Sequence, residues 1–117
     1  MAERINYSSL NKINLLKEQK KRDIIFKNIQ NKMKSNKYND ECIQDMISDL
    51  FNFMNRFYRC SIGMFRGLAE VYEFNTNFSR ILSRNYGEEM PKYIAKAMIY
   101  FCDIKEGKEV FKDWYLS

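Results

Sequence analysis

The chain has 117 residues, a length typical of one domain, and is 45% hydrophobic and 30% charged, a balance that excludes a disordered chain. It contains no histidine, which excludes Ser-His-Asp and Cys-His catalysis and any histidine-ligated zinc site. Four glycines and one proline are too few turn residues for a many-stranded sandwich or barrel.

Positive charge is concentrated at the start of the chain. Residues 1–38 carry 10 Lys and Arg against 3 Asp and Glu, whereas residues 39–117 carry 10 against 12. Such a run is typical of a solvated helix face, and contact between residues 12–37 and nucleic acid is a second interpretation.

Apolar residues at helical spacing predict a first helix that begins after Ser8 or Ser9 and ends at about Lys34. The wholly polar stretch 17–23 leaves open whether this segment is two helices or one long, exposed helix. We therefore expect a basic N-terminal helical segment, residues 1–24, followed by a domain of residues 25–117.

The second predicted helix has the clearest amphipathic pattern in the chain. Asn39 is its expected N-cap. Its apolar stripe repeats at intervals of four, three, four and three residues: Ile43, Ile47, Leu50, Met54 and Phe57. Three more apolar residues widen the stripe: Met46, Phe51 and Phe53. A helix that is apolar over so much of its circumference is central to the core or lines a pocket.

Three further helices and a tail follow. Ser61 predicts the start of a third helix, and Thr76 predicts the start of a short fourth helix that Gly87 ends. Pro91 suits the first turn of a fifth, and the aromatic residues within 108–117 predict another short helix. The expected fold is all-α, a compact bundle of about five helices plus a short C-terminal helix.

Acidic residues do not form a catalytic or metal-binding pattern. Glu88 and Glu89 are adjacent, so on a helix they point about 100° apart and do not converge on a substrate. Two further pairs of acidic residues lie at helical spacing, Asp45 with Asp49 and Asp103 with Glu106. Neither pair has a matching second pair or a histidine. We therefore expect a protein that is not an enzyme, with no catalytic residue, metal or cofactor.

Cys60 is the candidate reactive side chain. It precedes a predicted helix N-terminus and follows Arg59, and both the helix dipole and the guanidinium favour a thiolate. A small apolar filler is the alternative interpretation. Cys42 and Cys102 lie within amphipathic helices and are expected to pack in the core. An odd number of cysteines without a signal peptide indicates free thiols in the cytoplasm, and no apolar run is long enough to span a membrane.

Aromatic and methionine side chains are concentrated between Phe51 and Tyr72. Two interpretations remain open, a plain hydrophobic core and an adaptable apolar cleft that repacks around varied ligands.

The order of residues around Cys60 resembles the TipAS domain, the antibiotic-recognition module of MerR-type regulators. The resemblance spans about Phe26 to Phe101. It rests on Tyr58-Arg59-Cys60-Ser61, then Met64, Gly67-Leu68-Ala69-Glu70-Val71-Tyr72 and Phe78, and downstream on Tyr93-Ile94, Ala97-Met98 and Phe101. The departures are Ala69 in place of a second glycine, Gly63 in place of an acidic residue, and Asn75 and Asn77 in place of Asp and Arg.

This resemblance implies a globin-like, all-α fold with a ligand cleft between helices. It also implies that a thiopeptide antibiotic binds there and can attach, through a dehydroalanine, to the cysteine that Cys60 matches. In full-length relatives a DNA-binding half and a coiled coil precede the domain. Nucleic acid is therefore expected only through a DNA-binding half that this sequence lacks.

The leading hypothesis is a stand-alone domain that binds a hydrophobic drug or thiopeptide and captures it covalently, in antibiotic sensing, transcriptional regulation or sequestration. The expected ligand-binding residues are Phe53, Phe57, Tyr58, Cys60, Met64, Phe65 and Tyr72. The alternative is a small helical interaction module without a ligand, in which the Phe51–Phe57 region forms a homodimer face.

Overall fold

Five α-helices form the protein in the computed structural model, which describes residues 2–57 and 59–107, with side chains for residues 17–56 and 59–107. The helices are α1 (Ala2–Met33), α2 (Glu41–Phe57), α3 (Ile62–Phe74), α4 (Thr76–Tyr86) and α5 (Met90–Lys105). These residues include no strand, so the all-α prediction is confirmed. The short C-terminal helix predicted for residues 108–117 lies outside the described residues.

The first helix is one continuous element. It begins at Ala2, so the predicted caps Ser8 and Ser9 lie inside it and that prediction is wrong. The polar stretch 17–23 stays helical because it consists mainly of Lys, Glu, Gln and Arg, which have high helix propensity. The helix also runs unbroken through position 24. None of the helices in the described residues has an apolar stretch capable of crossing a bilayer.

The core lies among α2, α3 and α5, and the C-terminal half of α1 covers one side of it. Its fully buried aliphatic side chains are Ile29, Ile43, Ile47, Leu50, Met90, Ile94 and Met98. Burying a side chain of this size contributes roughly 1.5–3 kcal/mol, so the amphipathic stripes of the sequence determine which helix faces turn inward.

Helices α3 and α5 pack antiparallel. At one end, Cys102 Sγ lies 3.5 Å from the carbonyl oxygen of Ile62, and Arg66 pairs with Asp103. A trio of rings packs between these helices and α2: the centroids of Phe51, Phe65 and Phe101 are 5.1–5.6 Å apart. The start of α3 is thereby fixed against the end of α5.

Side-chain caps define the ends of α3 and α4. Ser61 Oγ accepts a hydrogen bond from Met64 N at 3.1 Å, which confirms the predicted start of α3. The fourth helix is capped by Asn75 and not by Thr76, because the Asn75 side-chain oxygen accepts from two backbone N–H groups of the first turn. Gly87 ends α4 with a φ of 106°, a conformation that favours glycine.

The remaining helix starts deviate little from the predictions. Helix α2 begins at Glu41, and Asp40 O accepts its first helical hydrogen bond from Gln44 N, so the predicted N-cap at Asn39 is wrong by one residue. Asn39 lies in the preceding turn, where Lys37 N donates to Asp40 Oδ2 at 2.9 Å. Pro91 occupies the first turn of α5, as predicted, where its missing N–H costs no helical hydrogen bond.

Candidate functional site

Cys60 lies in the short connection between α2 and α3. Its backbone N–H donates to Asn55 Oδ1 at 3.2 Å, and its thiol lies 3.7 Å from the carbonyl oxygen of Ser61. The side chain is half-buried against the core, and Ser61 caps the helix that follows it. The sulfur therefore sits at the solvent boundary of a defined backbone turn.

The expected thiolate character of Cys60 is wrong. Burial raises the pKa of its thiol above the ordinary value. The neighbouring Arg59 side chain is exposed, and the guanidinium does not offset this loss of hydration. Near neutral pH the thiol form therefore predominates.

Asn55 is a positioning residue that sequence reasoning missed. Its side-chain Nδ2 donates to Phe51 O at 3.0 Å, while its Oδ1 accepts from Cys60 N. One amide thus ties the last turns of α2 to Cys60, three residues beyond the end of that helix. An Asn five residues before a candidate cysteine, near a helix C-terminus, is the signal that could have indicated this role.

Three of the expected ligand-binding residues are core residues in this structure. Phe53 and Tyr72 are almost completely buried, and Phe65 lies fully buried in the aromatic trio. Burial raises the pKa of Tyr72, the Arg22 guanidinium partly lowers it, and the charge of Cys60 raises it further. Tyr72 and Cys60 are thus close enough to interact electrostatically.

Met64 is the accessible apolar candidate near Cys60. It lies one turn into α3 and is 59% exposed. The side chain of Phe57 and the whole of Tyr58 lie outside the described residues. Within the described residues, the expected site therefore presents a half-buried thiol and an exposed thioether at the start of α3, whereas Tyr72 lies near the other end of that helix.

A groove of about 670 Å³ opens elsewhere on the surface. Its walls come from the α1–α2 connection, the end of α3, the start of α4 and the turn into α5. The lining residues are Tyr38, Glu73, Phe74, Ser79, Glu88, Glu89, Pro91, Lys92, Tyr93 and Lys96. Its volume lies in the range usual for small-molecule sites. None of the expected ligand-binding residues lines it.

The acidic residues at the end of α5 have a structural role. Arg66 of α3 donates to Asp103 at 2.8 Å and also to Glu106. Both carboxylates raise the pKa of Arg66, so this guanidinium remains charged. The described part of the chain contains no group of three His, Cys, Asp or Glu that could hold a metal ion.

Comparison with known proteins identifies the family to which these elements belong. Residues 2–101 match the TipAS antibiotic-recognition domain, a span that takes in α1 to α4 and most of α5. The chain belongs to the TipAS family. The recognition predicted from the residues around Cys60 is thereby confirmed.

A transcription factor shares part of this TipAS sequence. The HTH-type transcriptional activator mta of Bacillus subtilis (strain 168) is 37% identical over 49 residues, which are 42% of this chain and 19% of that protein. The matched segment thus represents about a fifth of the relative's length. No solved structure gives a significant match.

The departures from the family motif fit within the helical frame. Asn75, in place of the usual Asp, caps α4, and Asn and Asp are equally good N-caps. Ala69 is fully buried on α3, so its methyl group is accommodated in the core. A Cβ added at Gly63 would meet no atom closer than Ser61 Oγ at 3.9 Å, so the position has room for the first carbon of a side chain.

Proposed function

We propose that this TipAS domain recognises a hydrophobic antibiotic of the thiopeptide type and captures it covalently at Cys60. The family match over residues 2–101 carries the proposal. The position of Cys60 supports it, because the thiol lies at the solvent boundary beside the exposed Met64. The other proposed contacts are Phe53, Phe57, Tyr58, Phe65 and Tyr72.

The capture step is an addition that releases no leaving group. The Cys60 thiol loses its proton to water, and the sulfur forms a bond to the terminal CH₂ carbon of a dehydroalanine. The carbon–carbon π bond breaks, and its electron pair takes a proton from water at the neighbouring carbon. The product has the summed mass of protein and antibiotic. Because the thiol pKa is raised, noncovalent binding must hold the alkene at the sulfur long enough for this reaction.

Buried candidate residues imply a rearrangement on binding. Phe65 contacts only core atoms in this structure, so it can contact a ligand only if α2 or α3 shifts. Phe53 and Tyr72 lie at the margin of the core and require a smaller movement.

Intact-protein mass spectrometry after incubation with a dehydroalanine-bearing thiopeptide tests the proposal. We expect a single adduct of the antibiotic's full mass, absent in Cys60→Ser and retained in Cys42→Ser. Cys42 is the matched control because it is also half-buried. A thermal shift without an adduct would limit the site to reversible binding, and an adduct that persists in Cys60→Ser would disprove the assignment.

The proposal also includes a role in gene regulation. The relative mta is an HTH-type transcriptional activator. We infer that this domain supplies the drug-sensing half of such a regulator, or sequesters the drug as a stand-alone cytoplasmic protein. In the first case, the DNA-binding half of the longer regulator makes the contact with DNA.

Exposed apolar side chains favour assembly as a second candidate function. Phe74, Phe78 and Ile81 are exposed at the end of α3 and on α4, and Ile24 is exposed on α1. The earlier candidate face is less suitable, because Phe53 is buried. Sedimentation equilibrium separates the two functions: a tight homodimer that ignores antibiotics favours assembly, and a monomer that binds them favours recognition.

A further inference from the structure

The groove described above lies at the opposite end of α3 from Cys60. Ile62 and Phe74 mark the two ends of that helix, twelve residue steps apart, or about 18 Å at 1.5 Å per residue. The groove is therefore a separate surface from the thiol and Met64. Antibiotic capture at Cys60 does not account for it.

Two elements hold one wall of the groove in place. Gln44 Nε2 donates to the carbonyl oxygens of Tyr38 at 2.9 Å and Ala97 at 3.1 Å, which ties the α1–α2 connection to α5. The Tyr93 hydroxyl donates to Asn36 O at 2.9 Å in the same connection. The Tyr93 hydroxyl bond and the edge-on contact of the Tyr38 ring with Tyr100, at 6.3 Å between centroids, thus position both side chains before any ligand arrives, which reduces the entropy cost of binding.

The opposite wall carries groups without partners. Phe74 is 74% exposed, although a phenyl ring in water forgoes the stabilisation that burial provides. The neighbouring Glu73 is half-buried, yet it forms no ion pair with another described residue. Glu88 and Glu89, in the turn before α5, are likewise unpaired within the described residues.

Charge and ring chemistry in the groove favour a cation. The faces of the aromatic rings carry negative partial charge and attract cations, and the three carboxylates do so as well. Lys92 and Lys96 oppose this, but the equally exposed Glu88 and Glu89 offset their two positive charges. The groove therefore retains a negative balance, with Glu73 as its half-buried charge.

We propose that this groove is a second ligand site, which binds aromatic cations, that is, ring compounds with a delocalised positive charge. The ligand rings stack on Phe74, Tyr38 and Tyr93, and its charge lies against Glu73. Ligand binding at this site is reversible and does not involve the Cys60 thiol.

Fluorescence titration of the full chain with crystal violet, an aromatic cation, tests the site. We expect saturable binding that Phe74→Ala and Glu73→Gln each weaken about five-fold. Ile24→Ala is the matched control for an exposed apolar residue outside the groove, and Glu70→Gln is the control for a carboxylate one turn earlier on α3. Both controls should bind the dye as the unchanged protein does.

Three outcomes would overturn the site. One is tighter binding of the aromatic anion anilinonaphthalene sulfonate than of crystal violet, and another is equal weakening by the control variants. The third is a homodimer in sedimentation that Phe74→Ala dissociates, because a second copy would then occupy the groove. Cys60→Ser should bind the dye unchanged, and Glu73→Gln should still form the thiopeptide adduct, so the two proposals fail separately.

Discussion

Cys60 illustrates how hydration controls the chemistry of a single residue. The sequence places it beside Arg59 and just before a helix N-terminus, and both neighbours favour a thiolate. In the fold, the half-buried sulfur loses hydration, which raises the pKa of its thiol. The sequence shows which residues flank Cys60. The burial that opposes their effect on the thiol pKa depends on how α2 and α3 pack.

The pH dependence of alkylation measures this effect. In a Cys42→Ser background, we expect iodoacetamide to modify Cys60 more slowly than free cysteine at neutral pH, because less thiolate is present. The rate should still be rising above pH 9.0, the ordinary thiol pKa. Adding Cys60→Ser should abolish labelling, since Cys102 is fully buried. A rate that levels off near neutral pH would show that Arg59 controls the thiol after all.

Helix identity was predictable from periodicity, whereas helix ends were less so. The stripe from Ile43 to Met54 predicted α2 correctly because apolar burial is its main stabilisation. At the start of α4, Asn75 and Thr76 are adjacent and both able to cap, and only the backbone geometry decides for Asn75. The ion pairs of Arg66 join residues 37 and 40 positions apart, which no local pattern reveals.

Arg66 should stabilise the contact between α3 and α5. We expect Arg66→Ala to lower the free energy of unfolding by about 1 kcal/mol, because the half-buried Asp103 and the exposed Glu106 each lose an ion pair with Arg66. Arg80→Ala, on the exposed side of α4, should change it by less than about 0.5 kcal/mol. Urea unfolding measures both, and equal effects would mean that the ion pairs contribute nothing.

At the scale of the whole molecule, most of the aromatic residues clustered in the sequence belong to the core. Phe51 and Phe65 join Phe101 in the core, whereas Met64 stays at the surface near Cys60. The groove was not predictable, because its lining comes from four separate stretches of chain. Residues of ordinary local pattern meet there only after the helices have packed.

Deprotonation of buried groups should make the folded protein sensitive to alkali. Burial raises the pKa of Cys102 from 9.0 to about 11 and that of Tyr93 from 10.0 to about 12. Both groups hold their protons more tightly in the folded protein than in the unfolded chain. The stabilisation that they contribute to the folded state is therefore complete below their ordinary pKa values. It is lost as the pH rises from about 9 towards 12.

Chemical denaturation at a series of pH values checks this expectation. The free energy of unfolding should fall above about pH 9, and the fall should be shallower in Cys102→Ala and in Tyr93→Phe. Tyr38→Phe, which keeps the ring and lies near the same wall, is the control for removing a hydroxyl. A stability that does not change up to about pH 12 would contradict the burial of these groups.

A single residue, Asn75, joins α3 to α4. Its N–H donates to Val71 O, its carbonyl oxygen accepts from Ser79 N, and its side-chain oxygen accepts from Asn77 N and Phe78 N. The connection is therefore a single residue whose backbone groups and side-chain oxygen are all hydrogen-bonded to the two helices. One inserted residue would rotate α4 by about 100° about its own axis and turn Leu82 and Tyr86 away from the interior. The exposed side chains of α4 can therefore vary during evolution, whereas the length of the connection between α3 and α4 cannot.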